Sequence, residues 1–173
     1  MKRTAILLLA ALLLCTVGCK SDAQDDPNAV FIDPNAVRGG EYGELYFEVN
    51  GVRFGVFDEA KPVLSALSEE TGSFTRESCA FDSADVFHIF PSFEIMTNEI
   101  DGVERITAIR IRDDQVRTPQ GLYIGMPEQD AAEAFPALAG ADWNLEDGTA
   151  LLSVTFQNGT VYGITYTPSI TEE

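Results

Sequence analysis

The chain predicts an α+β fold: two helix-plus-antiparallel-meander repeats that follow a signal peptide and a flexible tether. Three observations carry that prediction. Short alternating apolar runs meet at Asn50-Gly51, Asp101-Gly102 and Asn158-Gly159, dipeptides suited to tight hairpins. Two stretches with apolar residues at helical spacing, near 62–68 and 126–137, each precede a set of such runs. Residues 1–18 form an apolar leader with a basic start, and residues 19–42 are polar and lack sustained periodicity.

In chain order, Lys2 and Arg3 supply the positive start, and Ala5 to Leu14 an apolar run of signal-peptide length. Even extended to Gly18, the run falls short of the ~20 residues that cross a bilayer as a helix. Thr16-Val17-Gly18-Cys19 resembles the bacterial lipobox, with Thr16 at a position that pattern usually fills with Leu. The resemblance implies cleavage after Gly18, a thioether-linked diacylglycerol on Cys19 and acylation of the new amino terminus. It makes the bilayer a partner through the Cys19 anchor, with the chain on the extracytoplasmic face of the cell membrane. Cys15 is a poor rival, because Leu14 before it is too bulky. The competing reading is an ordinary cleaved signal with Cys19 as a bystander.

Residues 19–42 read as a lipid-anchored linker. As a flexible coil such a segment spans roughly 25–30 Å, enough to lift a domain clear of a membrane. Within it Asp26-Pro27-Asn28-Ala29-Val30 recurs as Asp33-Pro34-Asn35-Ala36-Val37. This is either a duplicated docking peptide or local duplication of ordinary turn chemistry, and the second reading is the better one.

Residues 43–173 carry the folded domain, with repeat-like halves at about 43–115 and 116–168. Leu45, Phe47 and Val49 alternate up to Asn50-Gly51, and Val52, Phe54 and Val56 alternate on the return. A helix is expected over Pro62–Ser68, with Val63, Leu64 and Leu67 as its apolar face and Pro62 in its first turn. Strands are expected at Val86–Phe90, Phe93–Thr97 and Arg105–Arg112, where Phe87 with Ile89, Phe93 with Ile95, and Ile109 with Ile111 show period two. Gly121–Gly125 reads as a short strand-like lead-in to a helix from Met126-Pro127 to about Ala137, closed by Gly140. Strands Thr149–Phe156 and Val161–Thr167 complete the second half. Each helix is expected to lie across its own sheet.

Composition narrows the functions. The chain has 28 acidic and 11 basic residues, a formal charge of −17. Loss of Lys2 and Arg3 with the leader leaves nine basic residues and a charge of −19. Such a surface repels nucleic acid and anionic headgroups, so no nucleic-acid partner is expected. Eleven Phe, five Tyr and one Trp supply core material.

The candidate chemistry is thin. With Cys15 removed and Cys19 lipidated, Cys79 stands alone and reads as a buried small hydrophobe rather than a nucleophile. Without lipidation, a Cys19–Cys79 bridge becomes the alternative. His88 is the sole histidine and reads as a strand residue satisfied by a neighbour or solvent, on the face opposite Phe87 and Ile89. Ser78, His88 and Asp82 or Asp85 make a triad only on paper. Asp142-x-Asn144-x-Glu146 starts like a calcium loop but has Asp147 at position six and Ser153 at position twelve. Asp113-Asp114 and Glu69-Glu70 are adjacent acids at element ends, not a pair across a cleft. No catalytic, cofactor-binding or metal residue is assigned, and no cofactor is expected. Cys19 is the one site residue.

Gly121-Leu122-Tyr123-Ile124-Gly125-Met126-Pro127-Glu128, with a helix ending near Pro136, resembles the opening of small lipoprotein domains. These are the bacterial outer-membrane assembly lipoproteins of the BamE type and the tandem-repeat β-lactamase inhibitor protein. Glu77-Ser78-Cys79-Ala80-Phe81 ahead of that segment is also similar to uncharacterised secreted lipoproteins of Gram-positive anaerobes. The resemblance spans roughly residues 43–167 and implies paired helix-plus-meander units that form a protein-binding surface. No binding residues carry over, since the inhibitor's contact loops and disulfides have no match.

Three function classes follow. The first is a membrane-anchored cell-envelope lipoprotein acting as a non-catalytic protein-binding or scaffold module, with an envelope or extracellular protein partner. An exposed aromatic patch including Tyr162 and Tyr166 is its expected mark. The second is a binder of a small ligand, cell-wall fragment or calcium, and the third an envelope hydrolase.

Overall fold

The computed structural model describes residues 45–169. The leader, Cys19 and the duplicated Asp-Pro-Asn-Ala-Val segment lie outside the described residues.

The first hairpin forms as its turn chemistry dictates. β1 (Phe47–Val49) and β2 (Val52–Phe54) pair Phe47 with Phe54 and Val49 with Val52. Asn50 and Gly51 sit at φ 53° and 77°, the left-handed pair that a type I′ turn requires. α1 (Ala60–Ala66) follows, with Ala60 and Val63 buried. Pro62 lies in its first turn, where an N–H has no intrahelical acceptor to lose.

Four strands then form a meander: β3 (Gly72–Arg76), β4 (Asp85–Ile89), β5 (Phe93–Ile100) and β6 (Val103–Ile111). α2 (Glu128–Ala134) and α3 (Pro136–Gly140) come next. The single helix expected there breaks at Phe135, whose φ of −139° and ψ of 76° leave the helical region. The ring of Pro136 disfavours that region for the residue before it. β7 (Asn144–Glu146), β8 (Ala150–Gln157) and β9 (Thr160–Pro168) follow.

The expected pair of helix-plus-meander repeats does not form. Among the described residues the architecture is mostly β, with one seven-stranded antiparallel sheet in the order β3-β4-β5-β6-β9-β8-β7, the separate β1–β2 hairpin and three short helices. The two meanders fuse where β6 meets β9, with Ile109 beside Tyr166 and Ile111 beside Ile164. Fusion removes two long edges that separate sheets would expose. The helices, seven, seven and five residues long, are too short to hold without packing. They join the hairpin as one cover over one face.

That covered face holds the core. Phe90, Phe93, Ile95, Ile106, Ile109, Ile111, Leu152, Val154, Ile164 and Tyr166 pack with Leu45, Phe47 and Phe54 and with Val63, Ala131 and Leu138. The Phe47 ring meets Phe54 edge-on at 5.6 Å and lies 5.4 Å from Phe93 and 6.3 Å from Tyr166. Gly121–Gly125 is not a strand. The lead-in to α2 is clamped where Gly125 N–H bonds Val161 O and Val161 N–H bonds Met126 O. The lead-in to α1 is held likewise, Phe57 N–H to Ile106 O and Ile106 N–H to Asp58 O.

Two bulges decide which residues turn inward. Between β5 and β6 the register shifts at Met96/Thr97, so Thr97 pairs with Ile106 and Met96 with Ala108. Ile106 and Ile109, three apart, are thereby both buried. Between β8 and β9 the shift at Thr155/Phe156 leaves Tyr162 unpaired.

Candidate functional site

Among the described residues, no helix or hairpin covers the other face of the sheet. Strand alternation and register place Phe74, Phe87, Met96 and Ala108 in one row across β3, β4, β5 and β6. None of them joins the core cluster. Phe74 is 47% exposed, and its ring stacks on Phe87 at 4.6 Å with the planes 3° apart. Ile89 lies beside the row on β4. Charged pairs lie on both sides of it. On one side Arg110 pairs with Glu94 at 3.0 Å. On the other, Arg76 and Asp85 are cross-strand neighbours, and the Arg76 guanidinium lies 5.9 Å from the Phe87 ring centre. An apolar stripe between polar rims has the anatomy of a contact surface.

The loop beside this row is pinned by Asn98. Its side-chain amide donates to Ser83 O at 3.0 Å and to Asp85 Oδ1 at 2.9 Å, and the Ser83 hydroxyl donates to Asn98 Oδ1. Asn98 is buried despite its polarity because these bonds replace water.

Several residues stand apart from their expected positions. Tyr162 and Tyr166 do not share a patch: Tyr162 is 66% exposed in the bulge, while Tyr166 is fully buried beneath the cover. Burial pushes the Tyr166 phenol well above its usual range. Thr118 beside it partly offsets that rise, although no hydrogen bond of good geometry reaches the Tyr166 hydroxyl. Cys79 is exposed rather than buried, because it lies in the loop between β3 and β4. Phe87 and Ile89 turn to the open face, while His88 shares the covered side with Ile95, its cross-strand neighbour.

His88 is satisfied by neighbours. Nδ1 lies 3.2 Å from Glu70 Oε1, and Nε2 lies 3.3 Å from Thr97 Oγ1 and 3.5 Å from Glu104 Oε1. Thr97 in turn donates to Glu104 at 2.7 Å. Neither ring nitrogen meets Ser78, whose hydroxyl instead accepts the N–H groups of Ala80 and Phe81. Ser78, His88 and Asp82 or Asp85 are therefore not brought together as a triad.

The acidic candidates are engaged in backbone structure. Asn144 and Glu146 belong to β7, and the Asn144 side chain accepts from Ser153 at 2.8 Å. Asp147 accepts Ala150 N–H through Oδ1 and Leu45 N–H through Oδ2, tying the domain's start to the β7–β8 turn. Asp113 accepts the N–H of Gln115. Among the described residues no group of three or more His, Cys, Asp or Glu side chains is arranged to hold a metal. No helix among them is long and apolar enough to cross a membrane.

Sequence reasoning missed Phe74, the outward turn of Phe87, and Met96 as its neighbour. The available signal was Gly72-Ser73-Phe74-Thr75-Arg76, a short run of strand-forming types between Gly and a charge. Comparison of the chain with protein families, with characterised proteins and with solved structures finds no match. The resemblance to BamE-type and inhibitor-like domains thus rests on the sequence segments that suggested it.

Proposed function

We propose that this chain is a membrane-anchored cell-envelope lipoprotein that acts as a non-catalytic protein-binding module, held by Cys19 and presenting the open face of its sheet. The single observation that carries the reading is the row Phe74–Phe87–Met96–Ala108, apolar, outside the core and bordered by charged pairs. Covering the exposed half of Phe74 alone contributes on the order of 1 kcal/mol. The ion pair between Glu94 and Arg110 borders the stripe and sets orientation more than strength. The tether supplies reach, and the acidic charge favours a partner with a basic surface.

Two measurements on the full chain in its native cells test the reading. A photo-crosslinking side chain at Met96 should capture one partner protein, and the same group at exposed Gln129 on α2 should not. Equal adducts from both positions, or none from Met96, refute the open face as the binding surface. Mass spectrometry of the membrane-extracted chain should show a lipid-modified Cys19 as its amino terminus, and an unmodified terminus elsewhere would refute the anchor.

A further inference from the structure

The two edges of the sheet are not alike. β7 is three residues long, and it is preceded by Asp142 and Trp143 at φ 53° and 63°, which turn the chain away. A short edge offers little to pair with. β3 is longer, and every one of its five residues is exposed. Its sequence has no proline, no lysine and no bulge, the usual protections of an edge. Beyond the ladder to β4, it is supported by the stacking of Phe74 on Phe87 and the approach of the Arg76 guanidinium to the same ring. Among the described residues its outer backbone groups face no strand, since β3 ends the sheet order.

Charge selects what can pair there. Between residues 69 and 85 stand the carboxylates Glu69, Glu70, Glu77, Asp82 and Asp85, against Arg76 as the one cation. Glu69, Glu70, Glu77 and Asp82 are exposed. A second copy pairing antiparallel through its own β3 would bring Glu69 and Glu70 alongside Glu77 of the other molecule. A chain of formal charge −17 also repels its copies at longer range. A basic strand meets no such opposition.

We propose that β3 accepts an extended, basic segment of a partner protein by strand addition, as an eighth strand of the sheet. Main-chain bonds to β3 give the pairing, and an alternate apolar side chain of the segment packs on Phe74 and lengthens the open-face row. Its lysine or arginine side chains lie against Glu69, Glu77 and Asp82. This rests on the binding-module reading and adds to it where the partner enters and in what conformation.

The test uses the full chain in detergent micelles and a synthetic peptide alternating lysine and valine. Matched peptides carry glutamate for lysine, or a central proline. Expected is saturable binding of the lysine peptide that weakens with salt, with slowed hydrogen exchange at the amides of residues 72–76. The glutamate and proline peptides, and Phe74→Ala with the lysine peptide, should each bind about tenfold or more weakly. Glu77→Lys with Asp82→Lys, both at exposed sites, should reverse the charge preference without touching the core. Protection at β7 instead, or equal binding of the proline peptide, overturns strand addition. So does an unchanged affinity in Phe74→Ala. A Met96 crosslink that survives those results leaves the open-face reading standing, so the two failures are distinguishable.

Discussion

The middle of the sheet and its β3–β4 margin are built from similar strands but do opposite things. In the middle, β5, β6, β9 and β8 carry Ile95, Ile109, Tyr166 and Leu152 in one buried row under the hairpin and helices. At the margin that row continues as the polar residues His88 and Ser73. Aromatic side chains follow the same division. Phe47, Phe54 and Phe93 cluster inside, whereas Phe74 and Phe87 stack on the open face. Stability is therefore concentrated in the middle, and the margin is left free to present surface. Four tests can break or sharpen that contrast.

The largest effect is expected at Phe47, which joins the hairpin to both meanders. Phe47→Ala should cost about 3–5 kcal/mol, as a fully buried aromatic ring does, measured by urea unfolding. A loss under about 1 kcal/mol would mean that the hairpin is not a structural cover.

Tyr166 makes the second test, through pH. Burial raises its phenol above the ordinary value of 10.0. Above that pH the unfolded chain has released the proton while the folded chain still holds it. The folded state then binds more protons, so stability is complete below pH 10 and falls as pH rises further. The slope is about 1.4 kcal/mol per pH unit for one group. Tyr166→Phe should remove this slope, while Tyr162→Phe, at an exposed site, should keep it. An alkaline curve unchanged in Tyr166→Phe would show that the middle row is less dry than its packing implies.

Two glycines give effects of opposite sign. Gly159 turns the β8–β9 hairpin at φ 76°, and its carbonyl accepts the N–H of Glu128 at 3.0 Å. Alanine there is strained by roughly 1–2 kcal/mol. Gly72 opens β3 without a left-handed φ, and a Cβ added to it meets nothing within 4 Å. Gly72→Ala should stabilise by about 0.4–1 kcal/mol through the unfolded chain. Thermal unfolding of both variants decides the matter, and a destabilised Gly72→Ala would show that the margin is more tightly built than its exposure suggests.

These residues also show what could be read before the fold was known. The three hairpin turns were legible because Asn50-Gly51, Asp101-Gly102 and Asn158-Gly159 act locally, and each pair takes positive φ as type I′ turns require. The inward side of β4 was not legible. Phe87 and Ile89 outrank His88 in hydrophobicity, but Phe90 is what anchors the strand, and it fixes Val86 and His88 to its own side. Bulges hid Ile106 and separated Tyr162 from Tyr166, since an inserted residue breaks period two without a sequence mark. The pairing of β6 with β9 joins residues over 50 apart in the chain, and no local pattern announces it. The open-face row was missed for the same reason, because its members come from four strands and only register aligns them.

Phe74 carries a small expected effect on stability and the sharpest meaning. Its ring is half exposed and stacks on one partner, so Phe74→Ala should cost about 0.5–1.5 kcal/mol, the range of a single aromatic pair. Phe47→Ala removes the same ring from the core between the hairpin and the middle of the sheet at several times that cost. If the two losses are comparable, β3 is part of the stable body and its exposure has no bearing on binding. If Phe74→Ala is nearly silent in unfolding yet weakens capture at the open face, the ring is retained for contact rather than for folding. Chemical denaturation and crosslinking yield from Met96, measured on the same variant, separate those outcomes.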